Sequence, residues 1–350
     1  MFLGPSRFAI AAGLIASAAA QTYSDCNPMT NTSCSADTGL SLSTYSIDFT
    51  DGSADDDNWE SVGSGDVEYT SAGAKFTINE KGDAPTIQSS WYIFFGRVEV
   101  HLKAASGTGI VSSAVLLSDV LDEVDWEWLG GSTNEVQTNY YGKGNDTSDT
   151  RSATVAVSDS QTTSHNYTIY WTKESCVWYI DDAVIRTLNY ADALNGENYP
   201  QTPMRVKLGI WAGGDSDNAE GTITWAGGET DYDDGPFTMT VESIKIENFN
   251  PAGAYTYGDQ TGDYTSIELE ESDESDSTST ASTKTSSSKA SSTASTNFQN
   301  KGAVNSESSS TPSTTGTPTA SVETTSLGAI MWPNMWLLVS AFAATAAACM

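Results

Sequence analysis

Short segments in which apolar and polar residues alternate recur along the chain: KFTIN (75–79), GRVEVHLKA (96–104), GIVSSAVLLS (109–118), EVDWEW (123–128), NYTIYWT (166–172), CVWYIDD (176–182), VKLGIWA (206–212) and MTVESIKIENF (239–249). Residues two apart in an extended chain point the same way, so such segments carry an apolar face that must be buried. Clusters of Gly, Asp, Asn and Ser separate them, and no long stretch has helical periodicity. Two packed antiparallel sheets satisfy these faces together. The pattern therefore predicts an all-β domain over residues 21–260, a length that suits one such domain. A short helix around Tyr190–Leu194 would be incidental to it.

The two ends do not share this pattern. Residues 1–20 place Arg7 before an apolar run that closes on small residues, the layout of a secretory signal peptide cleaved after Ala20. That run is short for a membrane span. Residues 261–325 are first acidic, with ELEESDESD at 268–276, and then mostly Ser, Thr, Ala and Pro. Such a segment buries too little apolar surface to offset chain entropy, and it reads as a disordered, O-glycosylated stalk. Residues 326–350 form a terminal apolar tail with no basic residue after it. A polar spacer followed by such a tail is the arrangement of a GPI-attachment signal, with the attachment residue between Ser313 and Ser321. A tail-anchored span is the alternative, and the export signal argues against it. The expectation is a secreted protein, GPI-anchored at the cell surface or wall.

The formal charge of −31, with 46 acidic residues against 15 basic ones, argues against nucleic acid and other polyanions as partners. It suits a secreted protein that handles neutral polymers, most simply as a monomer. Four cysteines are present, and an exported chain can keep disulfides. Cys26 and Cys34 lie close together and are expected to pair, Cys349 belongs to the tail, and Cys176 in a strand-like setting reads as a buried free thiol. Sequons at Asn31, Asn145 and Asn166 are expected on surface positions. No CxxC pair or His cluster suggests a metal, and no P-loop, Rossmann fingerprint or Ser-His-Asp signature suggests a cofactor or other chemistry. DYDDG (231–235) lacks the EF-hand spacing and reads as an acidic turn. His101 reads as an exposed strand residue and His165 as a structural one.

One strand carries a different signal. DEVDWEWLG (122–130) sets Glu123, Asp125 and Glu127 on one face of an extended chain, with Val124, Trp126 and Trp128 on the other. In so acidic a chain, composition alone would produce about one such triplet. Its setting in an aromatic strand is the stronger observation, because three neighbouring carboxylates raise one another's pKa values. An edge strand with a solvated acidic face is one reading. The other is glycoside chemistry, which needs one ionised carboxylate to attack the anomeric carbon and one protonated carboxylic acid to release the leaving sugar. Asp125 between the two glutamates would help to separate their pKa values.

DEVDWEWLG resembles the active-site strand of glycoside hydrolase family 16, with its Glu-x-Asp-x-Glu pattern. GTGIVSSAVLLSDVLDEVDWEWLGG, QTNYYGKG (137–144), HNYTIYWTKESCVWYIDD (165–182) and KLGIWAGG…GTITWAGG (207–228) are similar, in order, to the fungal Crh-type cell-wall transglycosylases. The CNPM…C start and the Ser/Thr stalk fit the same layout. The resemblance implies a β-jelly-roll sandwich with an open substrate cleft. It implies Glu123 as nucleophile, Asp125 as supporting acid and Glu127 as general acid/base. For the sugar it implies contacts from Glu127, Trp211 as a stacking platform, Thr222 as a hydrogen-bonding residue, and Lys207, where the family often carries Arg. An ammonium keeps that charge but loses the planar fork. Tyr140 and Tyr141 would either line the cleft or pack between the sheets.

The resemblance further implies transfer of a chitin chain to β-glucan or to chitin, cross-linking the fungal wall, with residual chitinase activity. An endo-β-glucanase or chitinase using water as acceptor is the nearest alternative. A non-catalytic wall lectin or adhesin is the other, although a lectin has no need for a protonated carboxyl.

Overall fold

The alternation of GRVEVHLK becomes the strand Gly96–Lys103, in which Val98, Val100 and Leu102 are buried while Arg97, Glu99 and His101 face outward. The same rule builds two large antiparallel sheets in the computed structural model, which describes residues 24–147 and 151–271. One sheet runs, in spatial order, Ala183–Asn189, Ser175–Ile180, His165–Trp171, Gly96–Lys103, Phe237–Asn248, Gly73–Ile78 and Val67–Thr70, with Thr44–Asp48 also paired to Phe237–Asn248. The other runs Ala153–Ala156, Glu135–Tyr141, Glu123–Leu129, Ile110–Ser118, Met204–Ala212, Thr86–Ser89 and Trp59–Ser61. Ile110–Ser118 is buried along its whole length. That explains why IVSSAVLLS reads as a run of small and apolar residues rather than a clean alternation.

The inner faces of the sheets interlock through aromatic rings, as a two-sheet sandwich requires. Trp126 and Trp128 meet Tyr167 of the opposite sheet edge-on, at centroid distances of 5.4 and 4.6 Å. Trp178 and Trp171 are fully buried in the same layer, and Cys176 lies there as a buried free thiol. This is the all-β jelly-roll sandwich expected from the pattern and the resemblance.

The folded chain runs past residue 260. A third, small sheet joins Asp37–Thr38, Ala254–Tyr257 and Ile267–Glu270, so the acidic run begins inside a strand, with Ile267 buried and Glu268 and Glu270 exposed. Gly262 explains how the segment docks. Its φ is +65°, and a Cβ there would lie 2.9 Å from both Met29 Sδ and Lys143 Cε. Lys143 Nζ pairs with Asp263 at 3.2 Å, and Gln260 Nε2 donates to Met29 O at 2.9 Å. Met29 belongs to the loop closed by the Cys26–Cys34 disulfide, whose Cα atoms are 5.6 Å apart. Composition hides this docking because its contacts are few and long-range.

Other local expectations meet the structure in different ways. The Tyr190–Leu194 region forms two 3-10 turns, Tyr190–Asp192 and Leu194–Gly196, while the α-helix lies at Glu220–Trp225. His165 ties Ser158 O to Asp181 through contacts of 2.7 Å from its two ring nitrogens. Tyr232–Asp234 is a 3-10 turn capped by Asp231. Asn31 is exposed, and Asn145 Oδ1 accepts from Thr147 within a turn. Asn166 sits within the sheet, its Nδ2 donating to Glu99 at 3.1 Å. The segments read as a signal peptide, a Ser/Thr stalk and a GPI-attachment tail, with Cys349, lie outside the described residues.

Candidate active site

The acidic strand Glu123–Leu129 is paired on both sides, with Ile110–Ser118 and with Glu135–Tyr141. It is not an edge, so protection of an edge does not account for its charges. Its entry is clamped by Asp122, which is fully buried. Asp122 Oδ1 accepts from Lys143 N at 2.7 Å, and Oδ2 accepts from Gln201 N, Thr202 N and Thr202 Oγ1 at 2.8, 2.9 and 2.7 Å. Four donors on one carboxylate fix the phase of the strand, so the residue that follows must face away from the core. Farther along, Trp178 Nε1 from the opposite sheet donates to Asp125 O at 3.2 Å.

Register then assembles the outer face row by row. Glu123 stands opposite Tyr141 and Leu117, with Arg205 beyond Leu117. Asp125 stands opposite Asn139 and Val115, and Lys207, Gln88 and Glu60 continue that row. Glu127 stands opposite Gln137 and Ser113, with Gly209 and Thr86 beyond. Trp211 lies one pleat farther, in the row of Val111 and Leu129. The acid-bearing face is recessed: Glu123 is 7 % exposed, Asp125 1 % and Lys207 6 %.

Beside Glu127 the face ends in a tryptophan pair. Trp225, at the end of the short helix, stacks on Trp211 with centroids 6.0 Å apart and planes 24° apart. Trp225 Nε1 donates to Gln137 Oε1 at 3.0 Å. Thr222 lies on the same helix, and Tyr141 carries the Arg151 guanidinium over its ring at 4.0 Å. Tyr140 points the other way, buried in the core near Arg186. Trp225, Gln137, Asn139 and Arg205 escaped the sequence reading. A signal for Trp225 was present, because WAGG occurs twice, at 211–214 and 225–228.

Burial dominates the electrostatics. It pushes the Glu123 and Glu127 carboxyls well above the usual range, and the neighbouring acids add to that rise. Asp125 is raised to about 7, against the pull of its hydrogen bond with Glu123 and of Arg186 and Arg151. Lys207 opposes the rise at Glu123, whereas at Glu127 Asp125 is the other contributor beside burial and raises it further. Asp125 Oδ1, Asn139 Oδ1 and Trp211 Nε1 are buried and have no hydrogen-bond partner among the described residues. Cations thus ease the charging of Glu123 and of Asp125, while burial and Asp125 both oppose that of Glu127.

A jelly-roll with a recessed row of acids on its outer face defines a glycoside-processing class. The family model described as "Glycosyl hydrolases family 16" matches residues 55–227. Crh-like protein 1 of Aspergillus fumigatus is 53% identical over 256 residues, 73% of this chain and 68% of that one. Crh-like protein 5 of the same organism is 53% identical, over 72% of this chain and 63% of its own length. Among solved structures, the apo Crh5 transglycosylase superposes with a TM-score of 0.68 at 54% identity, covering 70% of this chain and all of that one, 100%. The same enzyme has been solved in complex with NAG. The chain belongs to glycosyl hydrolases family 16, in its branch of fungal Crh-type transglycosylases.

Proposed function

We propose that the protein performs retaining glycosyl transfer on cell-wall polysaccharide, cleaving chitin and passing the chain to β-glucan or to chitin. The observation that carries this reading is a row of three carboxyls on one recessed face, Glu123 and Asp125 buried and Glu127 partly so, where Lys207 eases the charging of Glu123 while burial and Asp125 both oppose that of Glu127. Glu123 is then the carboxylate that attacks the anomeric carbon, and Glu127 is the acid that protonates the departing oxygen. A covalent glycosyl-enzyme forms. Glu127, now a base, takes the proton of an incoming sugar hydroxyl, and the oxygen so activated displaces Glu123.

The tryptophan pair lies on the Glu127 side, where the acceptor must arrive, and stacked indoles favour a sugar ring over water. The unpartnered atoms of Asn139, Asp125 and Trp211 match sugar hydroxyls, since a buried polar group without a partner costs about 1–3 kcal/mol. Lys207, Tyr141 and Thr222 are assigned further sugar contacts. The relative solved with NAG supports a chitin-type donor. Residues 1–20 and 326–350 are assigned to export and to GPI anchoring, which places the enzyme at the wall it modifies.

The test incubates chitin oligomers with a labelled β-glucan acceptor. Wild type yields labelled hybrids, and Glu123→Gln and Glu127→Gln each lose turnover by roughly 10²–10⁴-fold while remaining folded. Short sugars without hybrids would replace transfer by hydrolysis. Unchanged turnover in both variants would remove the assigned roles.

A further inference from the structure

Asp122, the residue before Glu123, has every polar atom occupied. Its N–H donates to Ser118 Oγ at 2.8 Å and its carbonyl accepts from Ser118 N at 2.9 Å. The two carboxylate oxygens then divide the four donors described above. Oδ2 takes Gln201 and Thr202, which lead into the strand Met204–Ala212. Oδ1 takes Lys143 N, in the turn after Tyr141, and Tyr141 stands opposite Glu123. One buried residue thus ties the ends of Glu135–Tyr141, Glu123–Leu129, Ile110–Ser118 and Met204–Ala212, which are neighbours in the acid-bearing sheet.

The backbone around it is strained. Leu121, next to it in the chain, has a φ of +67°, and Lys143, bonded to its carboxylate, has a φ of +54°. Left-handed backbone is unfavourable for such side chains, and it persists where the surrounding bonds over-determine it. Here Gly144 N donates to Leu121 O at 2.8 Å and locks the two turns together. Further support arrives from the end of the folded chain. Lys143 and Gln201, whose N–H groups both reach Asp122, are also the residues that hold Asp263 and Tyr264. Lys143 Nζ meets Asp263 Oδ1 at 3.2 Å, and Gln201 Oε1 accepts from Tyr264 N at 3.2 Å.

We propose that Asp122 is a positioning residue for Glu123, and that Asp263 and Tyr264 complete its support through Lys143 and Gln201. Glu123 is the first residue of its strand, so its reach depends on where that strand end is held. A shift of about 1 Å in a reacting group can cost about 10²-fold in rate. Four oriented donors on one carboxylate hold the strand end against the strain in both turns. The proposal rests on the assignment of Glu123 as nucleophile and adds a residue that is fully buried and reaches no sugar.

The experiment compares full-length wild type with Asp122→Asn, Thr202→Val, Thr202→Ser and Asp263→Ala, each checked for folding by thermal unfolding. Asp122→Asn keeps one oxygen; with that oxygen at the Oδ2 position, its amide faces Lys143 N and releases the turn after Tyr141. Thr202→Val deletes one donor to Oδ2, and Thr202→Ser keeps it. The readouts are kcat and KM for transfer from chitin oligomers, and the rate at which an epoxyalkyl glycoside of a chitin disaccharide esterifies Glu123, located by peptide mass. Well below the melting temperature, Asp122→Asn is expected to lower kcat and the labelling rate together by about 10- to 100-fold, with KM held within roughly twofold. Thr202→Val follows in the same direction and Thr202→Ser restores both rates. Asp263→Ala lowers both by at most about fivefold, as an exposed ion pair allows. Lost stability with kcat and labelling unchanged, or a raised KM alone, would overturn the proposal. Should Asp122→Asn fail to fold, Thr202→Val and its serine rescue decide by the same criteria. A label on Glu127 of wild type would instead overturn the nucleophile assignment on which the proposal rests.

Discussion

At the residue scale, the molecule depends on buried ionisable groups with unequal compensation. Asp122 is buried, and four donors oppose the rise that burial imposes on its carboxyl without cancelling it. Asp37 is 4 % exposed, and its Oδ2 has no partner among the described residues. Burial, with Asp119 nearby, lifts its carboxyl to about 8, against the pull of Arg205. The folded state therefore holds this proton more tightly than the unfolded chain, whose Asp titrates near ~3.9. The stability it contributes is fully present below that value and is lost as pH rises through about 8. Asp37→Asn keeps the shape without the charge. Its melting temperature relative to wild type is expected to climb steadily between about pH 4 and pH 8, by the equivalent of a few kcal/mol. Parallel melting curves for the two proteins across that range would show that Asp37 is not protonated in the fold. The acid triplet was legible as a shared face from its spacing; Asp37 was not, because nothing local marks a carboxyl as buried.

At the scale of elements, close backbone approach decides the tryptophan side of the site. Gly214 has room for no side chain: a Cβ there would lie 2.2 Å from Gly228 O and 2.7 Å from Gly109 Cα. Gly213 is nearly as tight, 2.9 Å from Ala226 Cβ. The two WAGG stretches thus pack glycine against glycine, and that contact brings Trp211 and Trp225 side by side. Gly214→Ala is expected to cost about 1–3 kcal/mol through overpacking. It should also part the tryptophans and, on the proposed function, reduce transfer to glucan more than cleavage of chitin. Thermal unfolding together with near-UV circular dichroism of the indoles checks this; an unchanged indole spectrum would detach the glycine contact from the platform. The strands were readable from alternation because period two is a local property. The helix Glu220–Trp225 was not, since six residues make little helical pattern and its position is set by the glycine contact.

At the scale of the whole molecule, the ends of the folded domain clasp the Glu123 side of the site. Gly262 and Asp263 meet Lys143, whose N–H in the turn after Tyr141 donates to Asp122, and Gly262 and Gln260 meet Met29 of the disulfide loop. A protein ending at residue 260 is expected to unfold at lower urea concentration than one ending at residue 271. Burial of Ile267 alone is worth about 1.5–3 kcal/mol. Equal midpoints would show the last strand to be dispensable. The sequence by itself determined the sandwich, the strand that bears the acids and the face they share, because alternation and pleat are properties of neighbouring residues. Its ordered blocks also pointed to the family. Tertiary structure decided that this strand lies inside its sheet, which cations reach which carboxyl, where the folded chain ends and which second tryptophan faces the first. Those facts depend on strand order, register and long-range packing, where residues far apart in the chain come within bonding distance, and no local pattern encodes such distances.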